Sequence, residues 1–134
     1  MDRSSSDNKA IGDIMKYESS LFTKANSLVW EEVAPGMKRK IVGFDDNIMM
    51  VHVHFDKGGI GVRHAHHHSQ TSFVVSGKFE VTIGSETKIL EANDAFYPPP
   101  NVEHGAVCLE EGVLIDVFSP VREDFLAGES GYKK

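Results

Sequence analysis

The 134 residues suffice for one domain with its own hydrophobic core. With 14 Lys and Arg against 20 Asp and Glu, the net charge of -6 argues against a nucleic-acid partner, and the single cysteine, Cys108, excludes an internal disulfide. No apolar run is long enough to span a membrane, and the start, MDRSSSDNKA, lacks the apolar stretch of a signal peptide, so a cytoplasmic protein is expected.

Residues 1–27 read as an extension and 28–134 as the domain. In the extension Asp7 stands where it would cap a short helix carrying Ile11, Ile14 and Met15 at helical spacing; a tail or dimer arm fits as well. From Trp30 the pattern turns to period-2 alternation broken by turn signals. Strands are expected over 37–42, 48–55, 62–66, 70–76, 78–84, 87–91, 95–98, 104–109 and 112–118. So many short strands predict an all-β sandwich or small barrel. After Pro120 the stretch VREDFLAG predicts a helical turn or two, ended by Gly128.

Four of the seven histidines lie within 64–68. His64, His66 and Gln70 are an even number of residues apart, so on an extended chain they project to one side. His104, after the rigid PPPNVE turn, is the remaining candidate ligand. Three imidazoles and an amide oxygen suit Zn, Ni, Fe, Mn or Cu and leave positions for substrate on a six-coordinate ion. His67 and His68 read as spare residues at the rim. His52 and His54 alternate with Val51, Val53 and Phe55, which places them on the outer face.

In GVLIDVFSP, Asp116 interrupts two otherwise apolar faces. A carboxylate there needs a partner or a raised pKa, as a general acid or base would have; pairing with Arg122 is the other reading. Arg122 is able to grip a carboxylate in bidentate fashion, or to form a salt bridge with Glu123 or Asp124. Phe118, on the same face as Asp116, packs in the core on the plain reading. Tyr97 would reach the pocket from the strand leading to His104, or serve as barrel wall. Arg39 is a similar, weaker candidate.

The histidine constellation resembles the two motifs of the cupin superfamily. The first, G(X)5HXH(X)3,4E(X)6G, is matched by Gly58, His64, His66, Gln70 and Gly77, with Gln in the acidic place. The second, G(X)5PXG(X)2H(X)3N, is matched in spacing by Asn93, Pro99, Asn101 and His104, with Asn at both glycine places and Cys108 at the last. Asn tolerates positive φ better than most residues. The resemblance implies a single-domain, jelly-roll, double-stranded β-helix barrel.

The stretches KRKIVGFDDNIMMV, TSFVVSGKFEVTIG, PPNVEHG and EEGVLIDVFSPVREDFL are similar to the small pectin-degradation cupins of the KdgF type. That resemblance implies one divalent transition metal (Ni, Zn, Fe or Mn) on His64, His66, Gln70 and His104. It implies conversion of 4,5-unsaturated uronates to linear 4-deoxy-5-keto uronates, with Asp116, Phe118 and Arg122 in the site. The expected partner is a small uronate sugar, and single-domain cupins of this size commonly form homodimers. Another metal cupin enzyme, a dioxygenase or sugar isomerase, and a non-catalytic sugar-binding or regulatory cupin are the alternatives.

Overall fold

The computed structural model describes residues 14–131. The strands are β1 (Glu31–Ala34), β2 (Met37–Asp45), β3 (Ile48–Phe55), β4 (Ile60–His64), β5 (Ser69–Ile83), β6 (Glu86–Glu91), β7 (Ala95–Phe96) and β8 (His104–Ser119), followed by a one-turn helix α1 (Glu123–Leu126). All pairings are antiparallel, in the order β1-β2-β3-β8-β5-β6, with β4 on β8 and β7 on β5. The expected all-β domain is what forms. The helix expected around Asp7 lies outside the described residues, save Ile14 and Met15, which are in no helix. No helix among the described residues is long and apolar enough to cross a membrane.

Two pairs of expected strands are each one long strand. The segments 70–76 and 78–84 fuse into β5, and 104–109 and 112–118 into β8. Each strand therefore serves two layers. The first half of β5 pairs with β7 and its second half with β6, while the first half of β8 pairs with β4 and its second half with β3. The turn signals at Gly77 and Gly112 mark a corner rather than an end. Pairing of β5 with β8 slips between Val74 and Phe79, where the strands change layer. There Gly77 has φ +87, and a Cβ on Gly112 would overlap the Ser76 carbonyl. Gly112→Ala is expected to destabilise the fold by about 3 kcal/mol or more, read by denaturant unfolding. Wild-type stability in that variant would show that the corner has room to adjust.

Inward positions alternate along the strands as the pleat requires. Val51, Val53 and Phe55 of β3, Val74, Phe79 and Val81 of β5, and Cys108, Leu114 and Phe118 of β8 form the core. Phe55 meets Phe79 edge-to-face across the layers, centroids 5.2 Å apart. Residues 16–23 run along β2, where Asp46 accepts from the Lys16 and Tyr17 amides and Ser19 donates to the Phe44 carbonyl.

The turns around the motifs carry a specific backbone demand. Gly58, Gly77, Asn93 and Asn101 all have φ between 67° and 87°. Both asparagines thus occupy the left-handed conformation that favours glycine at those places, and their short amides accept it.

Candidate metal centre

His64 is the last residue of β4 and lies opposite His104, the first of β8. Their rings are 4.5 Å apart. His66 is not on the expected strand: β4 stops at His64, and His66 sits in the bend before β5. Its carbonyl accepts the Asn101 amide at 2.8 Å, which ties the two motif loops together. Gln70 is the second residue of β5 and points inward. Shared parity on one strand is therefore not what gathers these groups; a bend and a strand pair do so.

The three rings share one orientation device. His64 Nδ1 lies 2.8 Å from the Val62 carbonyl, His66 Nδ1 3.1 Å from that of His68, and His104 Nδ1 3.0 Å from that of Val102. A carbonyl only accepts, so each Nδ1 carries the proton and each neutral ring presents its Nε2 lone pair. The Gln70 side-chain nitrogen donates to Ser72 Oγ at 3.0 Å, which turns the amide oxygen toward the rings. Gln70 Oε1 then lies 2.9 Å from His66 Nε2 and 3.2 Å from His104 Nε2. These are acceptors facing acceptors, and a cation among them resolves the conflict. Ligand atoms of His64, His66 and His104 all lie within 4.8 Å of one another.

The rings resist becoming that cation by protonation. Burial, chiefly, lowers His64 to about 4 and His66 to about 4, with neighbouring rings and Arg122 adding to it. His104 is lowered as well, again first by burial. The donor set fits a borderline divalent ion, and the carbonyls behind each ring are the partners that metal-bound histidines use.

Beside this cluster, one cavity is lined by His64, Gln70, His104, Asp116, Phe118 and Arg122, with Phe55, Phe96 and Leu114 on its apolar side. Asp116 is buried opposite Ser72 on the neighbouring strand, and Ser72 Oγ donates to its Oδ1 at 2.6 Å. Burial pushes this carboxyl up to about 6; the Ser72 bond and the Arg122 charge pull the other way. Arg122, 3% exposed, donates Nε and Nη2 to the two oxygens of Asp124 at 3.0 and 2.8 Å. Its guanidinium stacks 4.9 Å from the Phe118 ring and 4.1 Å from Phe125.

A cupin-domain family profile matches residues 51–118. The chain is 54% identical over 99 residues to the pectin degradation protein KdgF of Dickeya dadantii (strain 3937), covering 72% of this chain and 90% of that one. The chain belongs to the pectin-degradation cupins. Among solved structures, an RmlC-like cupin from Shewanella frigidimarina is similar with a TM-score of 0.79 and 47% identity, over 81% of this chain and 97% of that one. KdgF from Halomonas sp. follows with 0.76 and 41%, over 80% and 99%.

In this cupin two candidate pocket residues stand elsewhere. Tyr97 is 58% exposed and lines a separate cleft with Val81, Ile83 and Leu90, so it does not reach the histidines. Its strand β7 is only two residues long and ends before it. Arg39 is buried but away from the cavity, its Nε on Glu31 at 2.8 Å and its other nitrogens on the Glu129 and Ser130 carbonyls. It secures the C-terminal segment, and its guanidinium covers Phe125 on one side at 4.0 Å.

His52 and His54 do lie on the outer face, but they are half-buried under Trp30, with ring centroids 5.3 and 6.0 Å away. His54 also meets Glu111 at 2.9 Å. His68 is buried rather than at the rim, and its ring centroid lies 3.9 Å from that of His67. Asp124 is the salt-bridge partner that the sequence offered for Arg122, together with Glu123, whereas Ser72 was not singled out. Ser72 had a signal: it is a small polar residue at the inward parity of β5, between Gln70 and Val74.

Proposed function

We propose that this cupin is a metal-dependent enzyme that converts 4,5-unsaturated uronates to linear 4-deoxy-5-keto uronates. The observation that carries the reading is the acceptor-only cluster of His64, His66, His104 and Gln70 opening on a cavity that also holds Asp116 and Arg122. Similarity to proteins called KdgF, one of them a pectin degradation protein, supports a sugar acid as the substrate class.

The four ligands would hold one divalent ion, which when bound supplies Lewis acidity toward sugar oxygens. The protein's own groups supply the rest. Arg122 has its Nε and Nη2 committed to Asp124, so Nη1 is the edge left for the uronate carboxylate. Stacking between Phe118 and Phe125 holds that edge in place. Phe118 also offers an apolar surface to the unsaturated part of the ring. The reaction is an isomerisation. The C1 hydroxyl loses its proton, the bond from C1 to the ring oxygen breaks, and the resulting enol becomes a ketone as C4 gains a proton. Asp116, with a pKa near 6, is able to take and return a proton near neutrality.

The test follows freshly released 4,5-unsaturated galacturonate by NMR with metal-loaded protein. The closed unsaturated ring is expected to disappear faster than in the no-protein control. Loss at the control rate, or saturable binding without turnover, would replace this reading with that of a sugar-binding cupin.

A further inference from the structure

Ser72 sits where two functions meet. It is 3% exposed, on the inward face of β5, directly across from Asp116 and two residues beyond Gln70. Its hydroxyl has one proton, and the 2.6 Å contact assigns that proton to Asp116 Oδ1. Toward Gln70 the hydroxyl therefore has only lone pairs to offer. Of the two ends of the Gln70 amide, only the NH2 end satisfies them, and it does so at 3.0 Å. The oxygen end is thereby sent toward His66 and His104.

A glutamine has no intrinsic preference for which end faces an ion, unlike a carboxylate, whose two ends are both oxygen. The wrong end would present N–H donors to a cation. This site must therefore obtain its amide orientation from somewhere, and the described contacts of the Gln70 NH2 group lead to Ser72. We propose that Ser72 is a positioning residue that fixes the Gln70 amide with its oxygen on the metal and links that ligand to Asp116. The inference rests on the metal site and Asp116 role proposed above. It adds a directional chain, Gln70 NH2 to Ser72 hydroxyl to Asp116 carboxyl, in which the carboxyl at one end dictates the ligand atom at the other.

Ser72→Ala removes the acceptor for Gln70 and the donor for Asp116 at once. Ser72→Thr keeps the hydroxyl. The measurement is Ni2+ affinity, by calorimetric titration of the full chain stripped of metal, with no sugar present. The alanine variant is expected to bind Ni2+ about 10- to 100-fold more weakly, the loss typical when a partner behind a metal ligand is removed. The threonine variant is expected within about threefold of wild type. Thermal unfolding of both metal-free variants is recorded beside it, since lost packing alone would lower stability without being repaired by a hydroxyl in affinity.

Wild-type affinity in the alanine variant would overturn the proposal. So would equal weakness of the alanine and threonine variants with both folded. Should Ser72→Ala fail to fold, the threonine variant alone decides: near-wild-type affinity supports the hydroxyl role, and a loss of 10-fold or more in a folded protein refutes it. If the wild type binds Ni2+ but leaves unsaturated uronates untouched, the reaction assigned above fails while the Ser72 result stands.

Discussion

Asp116→Asn is expected to lower kcat on 4,5-unsaturated galacturonate by about 10²- to 10⁴-fold, well beyond its effect on Ni2+ affinity. Asn matches Asp in shape and still meets the Ser72 hydroxyl, but it is unable to take up or release a proton in this range. NMR of the sugar and metal titration of the same sample separate the two effects. A variant that turns over at the wild-type rate would remove Asp116 from the chemistry.

The same substitution has a second, opposite consequence. In the metal-free protein burial moves Asp116 from 3.8 to about 6, so the folded state keeps a proton that the unfolded state releases. For a carboxyl whose folded pKa is raised, stability falls as pH rises from about 4 to about 6 and stays lower above that window. The shift corresponds to something on the order of 2–3 kcal/mol at pH 8. Asp116→Asn in metal-free protein is therefore expected to melt several degrees higher at pH 8, with the advantage shrinking toward pH 4. An equal gain at both pH values would mean that the buried charge is not its source.

His104→Ala is expected to abolish both metal and activity. Removing this ring takes one of the three histidines proposed to hold the ion and also one side of the contact that seats Gln70. Bound Ni2+ measured after dialysis should fall from about one per chain to a small fraction of that, and the sugar should decay at its uncatalysed rate. Wild-type protein should also gain stability on loading, about 2.7 kcal/mol at a free metal concentration 100 times the dissociation constant. His104→Ala should lose that gain. A variant still stabilised by Ni2+ would place the ion elsewhere.

Much of this was legible in sequence because turn chemistry and spacing act locally. Positive φ at Asn93 and Asn101 follows from which residues tolerate that conformation. The inward parity of Leu114, Asp116 and Phe118 follows from the pleat. The strand assignment failed at Gly77 and Gly112 because a corner inside a continuous strand has the same local signature as a turn between two strands. His66 was brought to the right neighbours through a bend that parity does not describe. The role of Arg39 was left open by the sequence because two of its partners, Glu129 and Ser130, lie about ninety residues away, a separation no local pattern reports. Tyr97, for which pocket and barrel wall were both open, stands outside the histidine cavity because a residue leading to His104 along the chain need not share its face.

The Gln at position 70 has a bearing on charge that geometry alone does not express. Three neutral imidazoles and a neutral amide contribute no negative charge to the centre. A divalent ion held there would keep both of its positive charges, where a glutamate in the same place would cancel one. The field felt by an arriving anion is accordingly stronger than a glutamate at position 70 would leave it, while Asp116 in the same cavity and Asp124 on Arg122 offset part of it. Small oxyanions and dicarboxylates should for that reason compete with the sugar acid, more so at low ionic strength than high.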